Sequence, residues 1–468
     1  MPAATPRLHH AKSFILTAHS AADIRDRPVQ RGIWLKNPVP FGLRTKGGIS
    51  MRKTFSAVVL TGLLGLTALF FAGSAHAANT NKDHLIHTFS PTPNGYPRSG
   101  LVADAAGNLY GTAYGNGDSC PDSCGEVFEL TPGANGAFLY RVLHTFTKGA
   151  GDGTFPQGAL VLDAEGNLYG TTVFGGADGY GTVYELSPTA AGPWNETILY
   201  SFKNGFDGSA PNSGVIFDTA GNLYGVTEGG GSGGLGTVFE LSLVNGLWVE
   251  SILHAFVWDT ADGNYPWGIA MDASGNLWGV TALGGSLTAC PFSGCGTVYE
   301  LIRAENWREN IVYDFQYGND GYQPVGALVF DSSGNIYGTA WLGGAPDGGI
   351  VFQMTPSTGG TWTEAILHTF GGAPDGFRPF SGLTFDQAGN LYGTTEGGGA
   401  PCNCGTVFEM SPAADGSWTE SIVYDFEPTA KDGRFPVGNV IFGPGSLLYG
   451  ATNYGGPAGA GTVYQVKP

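Results

Sequence analysis

The sequence predicts an all-β chain: a seven-bladed β-propeller with four antiparallel strands per blade, the ring closed by an N-terminal strand joining the last blade. Three observations predict it. A Gly-Asn-Leu-Tyr-Gly motif recurs along the chain, each period holds four short strand-like runs, and two of those runs are counted out of phase by one. The motif stands at Gly107–Gly111 and Gly166–Gly170, then at Gly221–Gly225, Gly275–Gly279, Gly334–Gly338 and Gly389–Gly393. A worn seventh copy ends in Leu448-Tyr449-Gly450, and the spacing from copy to copy is 54 to 59 residues. A period of that length with four strands and no sustained helical repeat describes a propeller blade; solenoid coils usually run to about 20–50 residues.

The second period shows the strands. Residues 158–163 and 167–172 flank the tight turn Ala164-Glu165-Gly166, a Gly-rich stretch separates them from 182–186, and a Ser187-Pro188 turn leads into 195–202. Alternation in Thr-Val-Tyr-Glu-Leu puts Val183 and Glu185 on one face and Tyr184 and Leu186 on the other. Third strands of the Gly-Thr-Val-Phe-Glu-Leu type begin near 125, 181, 236, 296, 349, 405 and 461. Fourth strands of the Ile-Leu-His-x-Phe type end at Phe89, Phe146, Phe202, Phe256, Phe315, Phe370 and Phe426. The first of these precedes every other strand, and the last blade reaches Pro468 without one. Residues 84–89 are therefore expected to supply the outer strand of the seventh blade and to cover the sheet edge that invites aggregation. The blades are expected at about 99–146, 157–202, 213–256, 267–315, 325–370, 381–426 and 437–466, the last with 84–89, within one domain of residues 78–468.

The first 77 residues read differently. A basic Met51-Arg52-Lys53, an apolar run from Phe55 to Ala72 and the small residues of Ala75-His76-Ala77 have the order of a secretory signal peptide over 51–77, cut after Ala77. Residues 1–50 lack repeat character and hold eight of the chain's 21 Lys and Arg; they are read as a disordered upstream extension from a mis-called start. The whole chain carries a formal charge of −18, and residues 78–468 alone hold 11 basic and 37 acidic residues, or −26. Such a surface repels nucleic acid and anionic lipid. The expectation is a secreted, extracellular or periplasmic monomer with no membrane span once the signal is removed.

Gly-Asn-Leu-Tyr-Gly-Thr-Thr, then Gly-Gly, then Gly-Thr-Val-Phe-Glu-Leu resembles the GloVer-type tandem repeat of secreted bacterial proteins over nearly all of 84–468. The resemblance implies surface or extracellular placement and implies no catalysis. Members carry varied C-terminal anchors; this chain ends in Lys467-Pro468 and looks like a released member. The Asp-x-x-Gly-Asn-Leu-Tyr turn is also similar to that of NHL-type propellers, which are mostly binding scaffolds.

In a repeat protein, a residue present at one position in many blades reads as architecture, and one that breaks the pattern is a better site candidate. His87, His144, His254 and His368 share a fourth-strand position that Tyr200, Tyr313 and Tyr424 fill elsewhere, so they read as packed rings with a polar tip. With only His84 left over within residues 78–468, neither a Ser-His-Asp triad nor an HExxH zinc helix assembles, and no catalytic residue is assigned. Asp152, Asp207, Asp262, Asp320, Asp375 and Asp432 each precede Gly in a blade-to-blade corner, with Asn94 in the first copy, and read as turn caps. Calcium is weighed at these corners and not favoured, because it wants six to eight converging oxygens. No cofactor and no metal are expected. Recurrent Glu129, Glu185, Glu240, Glu300 and Glu409 do not single out the acid pair that glycoside hydrolysis needs. The recurrent Trp-x-Glu turns at Trp194, Trp248, Trp307, Trp362 and Trp418 read as hairpin packing.

All six cysteines lie in loops between second and third strands, as Cys120/Cys124, Cys290/Cys295 and Cys402/Cys404. Locally paired in an exported chain, they read as three disulfides rather than zinc ligands, the last closing a cramped ring. Aromatics that break the pattern gather in the same loops and corners: Tyr114, Phe174, Tyr180, Trp258 and Trp267, then Phe292, Trp341 and Tyr454. Arg378 and Arg434 join them, unusual cations in an acidic chain. Flat rings with scattered polar groups suit a sugar or a protein partner. The expected function is a secreted binding module whose loop-rich face recognises a glycan or an extracellular protein. The rivals are an extracellular polysaccharide hydrolase or lyase, which two acids outside the repeat pattern in one pocket would favour, and a structural cell-surface protein.

Overall fold

The computed structural model describes residues 84–468 apart from 93–94, 116–122, 150, 191, 259–261, 289, 291–292, 401 and 430. The upstream extension and the signal peptide lie outside the described residues. No described helix is long and apolar enough to cross a membrane.

Seven antiparallel sheets form one all-β propeller. Blade 2 shows the plan. Its inner strand comes in two pieces, Gly153–Pro156 and Val161–Leu162. Both pair with the second strand Leu168–Gly175, which is followed by Thr182–Pro188 and the outer strand Trp194–Ser201. The spacing placed this inner strand at 158–163. The structure starts it at Gly153, because the corner Gly153-Thr154-Phe155-Pro156 is already laddered to the second strand, Gly153 opposite Gly175. The ring closes as the strand count requires. His84–Thr88 runs antiparallel to Thr462–Val466, with Leu85 opposite Tyr464 and Thr88 opposite Thr462.

The repeated Asp-x-x-Gly-Asn-Leu-Tyr builds the turn between first and second strands. Asp104 Oδ1 accepts the backbone N–H groups of Ala106 and Asn108, both at 2.9 Å. Its Oδ2 accepts Asn108 Nδ2 at 2.7 Å and the Tyr110 hydroxyl at 3.1 Å. The same set forms on Asp163, Asp218, Asp331 and Asp386, and on Asp272 with Trp278 Nε1 in place of the phenol. One short acid thus replaces water for a whole turn. In the worn seventh copy a 3-10 turn over Pro444–Ser446 does the work without an acid.

The core lies between blades, not within them. Each of seven apolar clusters joins two neighbours; Phe146, Val127 and Leu143 of blade 1 pack with Leu168, Tyr184 and Leu186 of blade 2. The cluster of Phe89, Val463 and Tyr449 with Leu101, Phe128 and Leu130 joins blade 7 to blade 1. The phenylalanine ending each outer strand is buried at 0–3% exposure, a burial that contributes roughly 1.5–3 kcal/mol each.

One glycine fixes each seam. Gly349 opens a third strand, accepts the Phe370 N–H on its carbonyl at 2.9 Å and has φ +93°. A Cβ there would stand 2.5 Å from Pro379 Cδ of the next blade and 2.7 Å from the Ala340 carbonyl. The equivalent glycine of every other blade meets the next blade's proline in the same way, at 2.4 to 2.7 Å. At the axis, inner strands touch backbone to backbone: a Cβ on Gly438 would lie 2.0 Å from the Gly100 nitrogen.

Three outcomes are expected. Gly349→Ala destabilises the chain by at least about 2 kcal/mol in denaturant melts, because backbone conformation and blade contact both oppose a Cβ. Gly389→Ala, at φ +90° with nothing within 4 Å, costs about 1 kcal/mol from the backbone alone; equal losses would contradict the account of the seam. Deleting residues 84–89 exposes the Thr462–Val466 edge and the Phe89 cavity, and size-exclusion chromatography should then show aggregates that the full chain does not form.

Candidate ligand-binding face

Blade corners and the loops between second and third strands emerge on one face, because they hydrogen-bond to each other across every seam. The residue before each corner proline donates its N–H to the loop of the preceding blade: Phe155 to Cys124 at 2.7 Å, Ala210 to Tyr180 at 2.9 Å, Gln323 to Cys295 at 2.8 Å. Tyr96, Tyr265, Arg378 and Phe435 do the same. All seven sit at φ between +53° and +68°, a region that side chains, and residues before proline above all, avoid. Strain repeated at the mouth of a ring holds seven side chains in fixed directions.

Disulfides stiffen the same loops. Cys290–Cys295 and Cys402–Cys404 are formed. Cys124 is disulfide-bonded, and its expected partner Cys120 lies outside the described residues. In three seams the carbonyl that receives the strained N–H belongs to the second cysteine of such a loop, Cys124, Cys295 or Cys404. Asn403 turns the tightest of them at φ +57° and accepts the Gly398 N–H. Three stapled loops suit an oxidising compartment.

The expected site residues fall into groups. Trp341 carries the Arg378 guanidinium 4.9 Å above its ring and meets Phe380 edge-on, as Trp267 does from two blades back. Tyr114 lies between Arg98, 3.9 Å over its ring, and Phe155, stacked at 4.9 Å; Phe155 in turn meets Phe174. Tyr454 packs against Tyr96 and Phe435 and stands opposite Arg434 in the ladder. Tyr180 and Trp258 are exposed and enter none of these stacks, and Phe292 lies outside the described residues.

Several mouth residues that the sequence pattern did not single out share a register position with Tyr114 and Trp341. Tyr114, Val173, Glu228, Ala282, Trp341, Glu396 and Asn453 occupy one position, at the top of the second strand in successive blades. Glu228 and Glu396 therefore break the pattern, as a catalytic acid would. They stand on blades 3 and 6 and engage different partners: Asn212 Nδ2 donates to Glu228 at 3.5 Å, Trp341 Nε1 to Glu396 at 3.3 Å. Burial raises the Glu228 carboxyl, against the Asn212 hydrogen bond. Arg98 Nε, Arg378 Nε, Asn212 Oδ1 and Asn453 Oδ1 are all buried and make no hydrogen bond within the described protein. Arg98, Arg378 and Arg434 belong to blades 1, 6 and 7, so one continuous sector of the mouth is cationic in an otherwise acidic chain.

A second polar belt follows the outer seams. The corner aspartates do cap turns: Asp152 Oδ2 accepts Thr147 N–H at 2.7 Å, Asp207 Oδ2 accepts Lys203 N–H at 3.1 Å and Asp320 Oδ2 accepts Gln316 N–H at 2.6 Å. The shared His/Tyr rings do pack, each T-shaped on the phenylalanine two residues on, as in His144–Phe146 at 4.7 Å and Tyr200–Phe202 at 5.1 Å. Their polar tips reach the corner aspartates, a partnership the substitution pattern did not reveal. Tyr200, Tyr313 and Tyr424 each donate to Asp207, Asp320 and Asp432 at 3.0–3.1 Å. The glutamate of the next blade's Trp-x-Glu turn completes the set. Burial, with Asp207 adding and Lys203 opposing, raises Glu250 to about 7; burial and Asp320 raise Glu364 to about 7.

This is a closed seven-bladed propeller with two polar belts, one at the mouth and one along the outer seams. The chain belongs to the Gloeobacter/Verrucomicrobia repeat family, whose model matches residues 75–292 and 291–468. No curated protein sequence matches it. Among solved structures it is similar to the extracellular domain of a hybrid two-component system from B. thetaiotaomicron, at 12% identity and TM-score 0.47, over 82% of this chain and 39% of that one. It is also similar to a luciferin-regenerating enzyme, at 12% identity and TM-score 0.40, over 83% of this chain and 95% of that one. A protein of unknown function from Dyadobacter fermentans matches at 8% identity and TM-score 0.44, over 82% of this chain and 97% of that one. At these identities the likenesses bring no activity to this chain.

The raised glutamates have a consequence for stability. Glu250 faces Asp207, Lys203 and Tyr200, and Glu364 faces Asp320 and Tyr313. Between pH 4.5 and 7 the folded chain keeps protons on these groups that the unfolded chain has released, so their contribution is full below pH 4.5 and lost as pH rises through 7. The melting temperature should fall from pH 5 to pH 8, and the double variant Glu250→Gln, Glu364→Gln should flatten that fall; an unchanged slope would contradict it.

Proposed function

We propose that the chain is an exported binding module whose mouth captures a glycan, with the cationic sector favouring acidic sugars. The observation that carries this reading is the set of buried, unpartnered polar atoms, Arg98 Nε, Arg378 Nε, Asn212 Oδ1 and Asn453 Oδ1, the two arginines lying over aromatic faces, on a disulfide-stiffened rim. Buried polar groups are normally satisfied. Groups left open on a rigid mouth suit a ligand that supplies both hydroxyls and a flat apolar face, as a sugar ring does. Arginines raised over Trp341 and Tyr114 suit carboxylate or sulfate substituents, which they can meet with paired donors. A protein partner is the second reading, supported by Phe206 at 81% exposure and Trp258 at 64% on the outer corners. The hydrolase reading has less support, since the two pattern-breaking acids, Glu228 and Glu396, stand three blades apart.

The test is a glycan array probed with the full chain, with calcium and with chelator. Binding to uronate-bearing or sulfated glycans in both conditions is expected, weakened about tenfold or more by Arg378→Ala or Arg98→Ala, the loss of one charged hydrogen bond. No binding in either condition would sink the glycan reading and favour the protein partner.

A further inference from the structure

The outer seams differ in how they are completed. Where the shared position is tyrosine, its hydroxyl bonds the corner aspartate directly at 3.0–3.1 Å. Where it is histidine, three donor atoms from three elements face one another instead. His144 Nε2 of blade 1 lies 3.6 Å from Asp152 Oδ1 of the corner and 3.5 Å from Glu196 Oε1 of blade 2. His254 Nε2 lies 3.4 Å from Asp262 Oδ1 and 3.5 Å from Glu309 Oε1. His368 Nε2 lies 3.2 Å from Asp375 Oδ2, with a Glu420 oxygen completing the group within 4.8 Å.

In the first of these, all three facing atoms are buried, and none has a hydrogen-bond partner among the described residues. A single Nε2 proton can serve one carboxylate at a time, so a second acid aimed at the same nitrogen is left uncompensated. The other oxygen of each aspartate is already held by the backbone: Asp152 Oδ2 by Thr147 N–H, Asp262 Oδ2 by Val257 N–H at 2.7 Å, Asp375 Oδ1 by Gly376 N–H at 2.6 Å. That is how an outer shell orients a ligand.

We propose that these three seams, His144/Asp152/Glu196, His254/Asp262/Glu309 and His368/Asp375/Glu420, are sites for a divalent transition-metal cation, best matched by Zn²⁺, that staples one blade to the next. One imidazole nitrogen and two carboxylate oxygens are a zinc donor set, and bonds of about 2.0–2.2 Å in tetrahedral array place donors about 3.3–3.6 Å apart. The His-to-carboxylate separations of 3.4–3.6 Å at the first two sites fall in that range, and all three donors of each site lie within 4.8 Å of one another. Calcium fits poorly, since it takes six to eight oxygens and no imidazole. The chain contains its own control. At the seam between blades 7 and 1, Tyr140 stands where the glutamate would be and stacks on His87 at 3.9 Å, so no acid comes from that element.

The test uses the full chain, stripped with chelator and titrated with Zn²⁺ by calorimetry, with metal content read by mass spectrometry after dialysis. Three equivalents per chain are expected, with a rise in melting temperature on loading and no heat from Ca²⁺. His144→Tyr, His254→Tyr and His368→Tyr install a completion that the other blades already use, so each should fold and lower the stoichiometry by one. Fewer than one equivalent bound, a preference for Ca²⁺, or three equivalents retained in the tyrosine variants would overturn the proposal.

Discussion

Every seam of the ring turns on a glycine that has no room for a side chain. Gly181 accepts the Phe202 N–H at 3.0 Å and so closes the outer strand of its own blade. Its bare α-carbon admits Pro211 of the next blade, 2.6 Å from where a Cβ would stand. The residue before it, Tyr180, receives the N–H of Ala210, the residue before that proline. Two consecutive residues thus hold an outer strand, a corner and a neighbouring inner strand together. A side chain at Gly181 would move three elements, not one, which is why the cost is cooperative and why the same glycine opens the third strand in all seven blades.

That joint also shapes the mouth. The N–H bond pins Ala210 and its six counterparts in left-handed backbone, and the proline that follows each of them cannot relieve it. The constraint falls on main chain, so the side chains at these positions vary freely among Tyr, Phe, Ala, Gln and Arg. The position at the top of the second strand varies as widely, from Val173 to Trp341 to Glu228. A rigid, seven-fold backbone therefore presents an asymmetric set of groups, with arginines on blades 6, 7 and 1 and acids at Glu228 of blade 3 and Glu396 of blade 6. Differences among loops of one scaffold are where recognition is usually placed.

The architecture was legible because its signals are local and repeated. The strand count and the displaced Phe89 strand followed from spacing alone, and the Asp104-type turn is written within seven residues. Other features were not legible, for definite reasons. Left-handed backbone is normally announced by Gly or Asn, and here it falls on Tyr96, Phe155 and Gln323, whose identities give no warning. Glu196 was hidden in a Trp-x-Glu turn that does pack: Trp194 meets Tyr110 at 6.2 Å. Two residues on, Glu196 turns to His144, 52 positions earlier and on another blade, a distance at which spacing carries no information. The exchange of His for Tyr pointed to packing and concealed a difference in hydrogen-bonding capacity.

That difference gives the ring a second period. Blades 1, 3, 5 and 7 carry histidine at the shared outer position, and blades 2, 4 and 6 carry tyrosine. Tyrosine brings its own proton to the corner aspartate and leaves one glutamate to be neutralised by protonation, as the raised Glu250 and Glu364 show. Histidine draws Asp152 below its ordinary range, against burial and with help from Thr147, while burial still lifts Glu196 to about 7. Each blade from 2 to 6 thus meets one neighbour through a seam where a tyrosine hydroxyl bonds the corner aspartate and the other through a seam where a histidine nitrogen faces that aspartate and a glutamate of the next blade. Packing is nearly the same at both, with the ring 4.7 to 5.1 Å from its phenylalanine. The apolar core therefore sets the geometry of every seam alike, and the polar tip alone decides whether a seam turns a hydroxyl or an imidazole nitrogen towards the facing carboxylates.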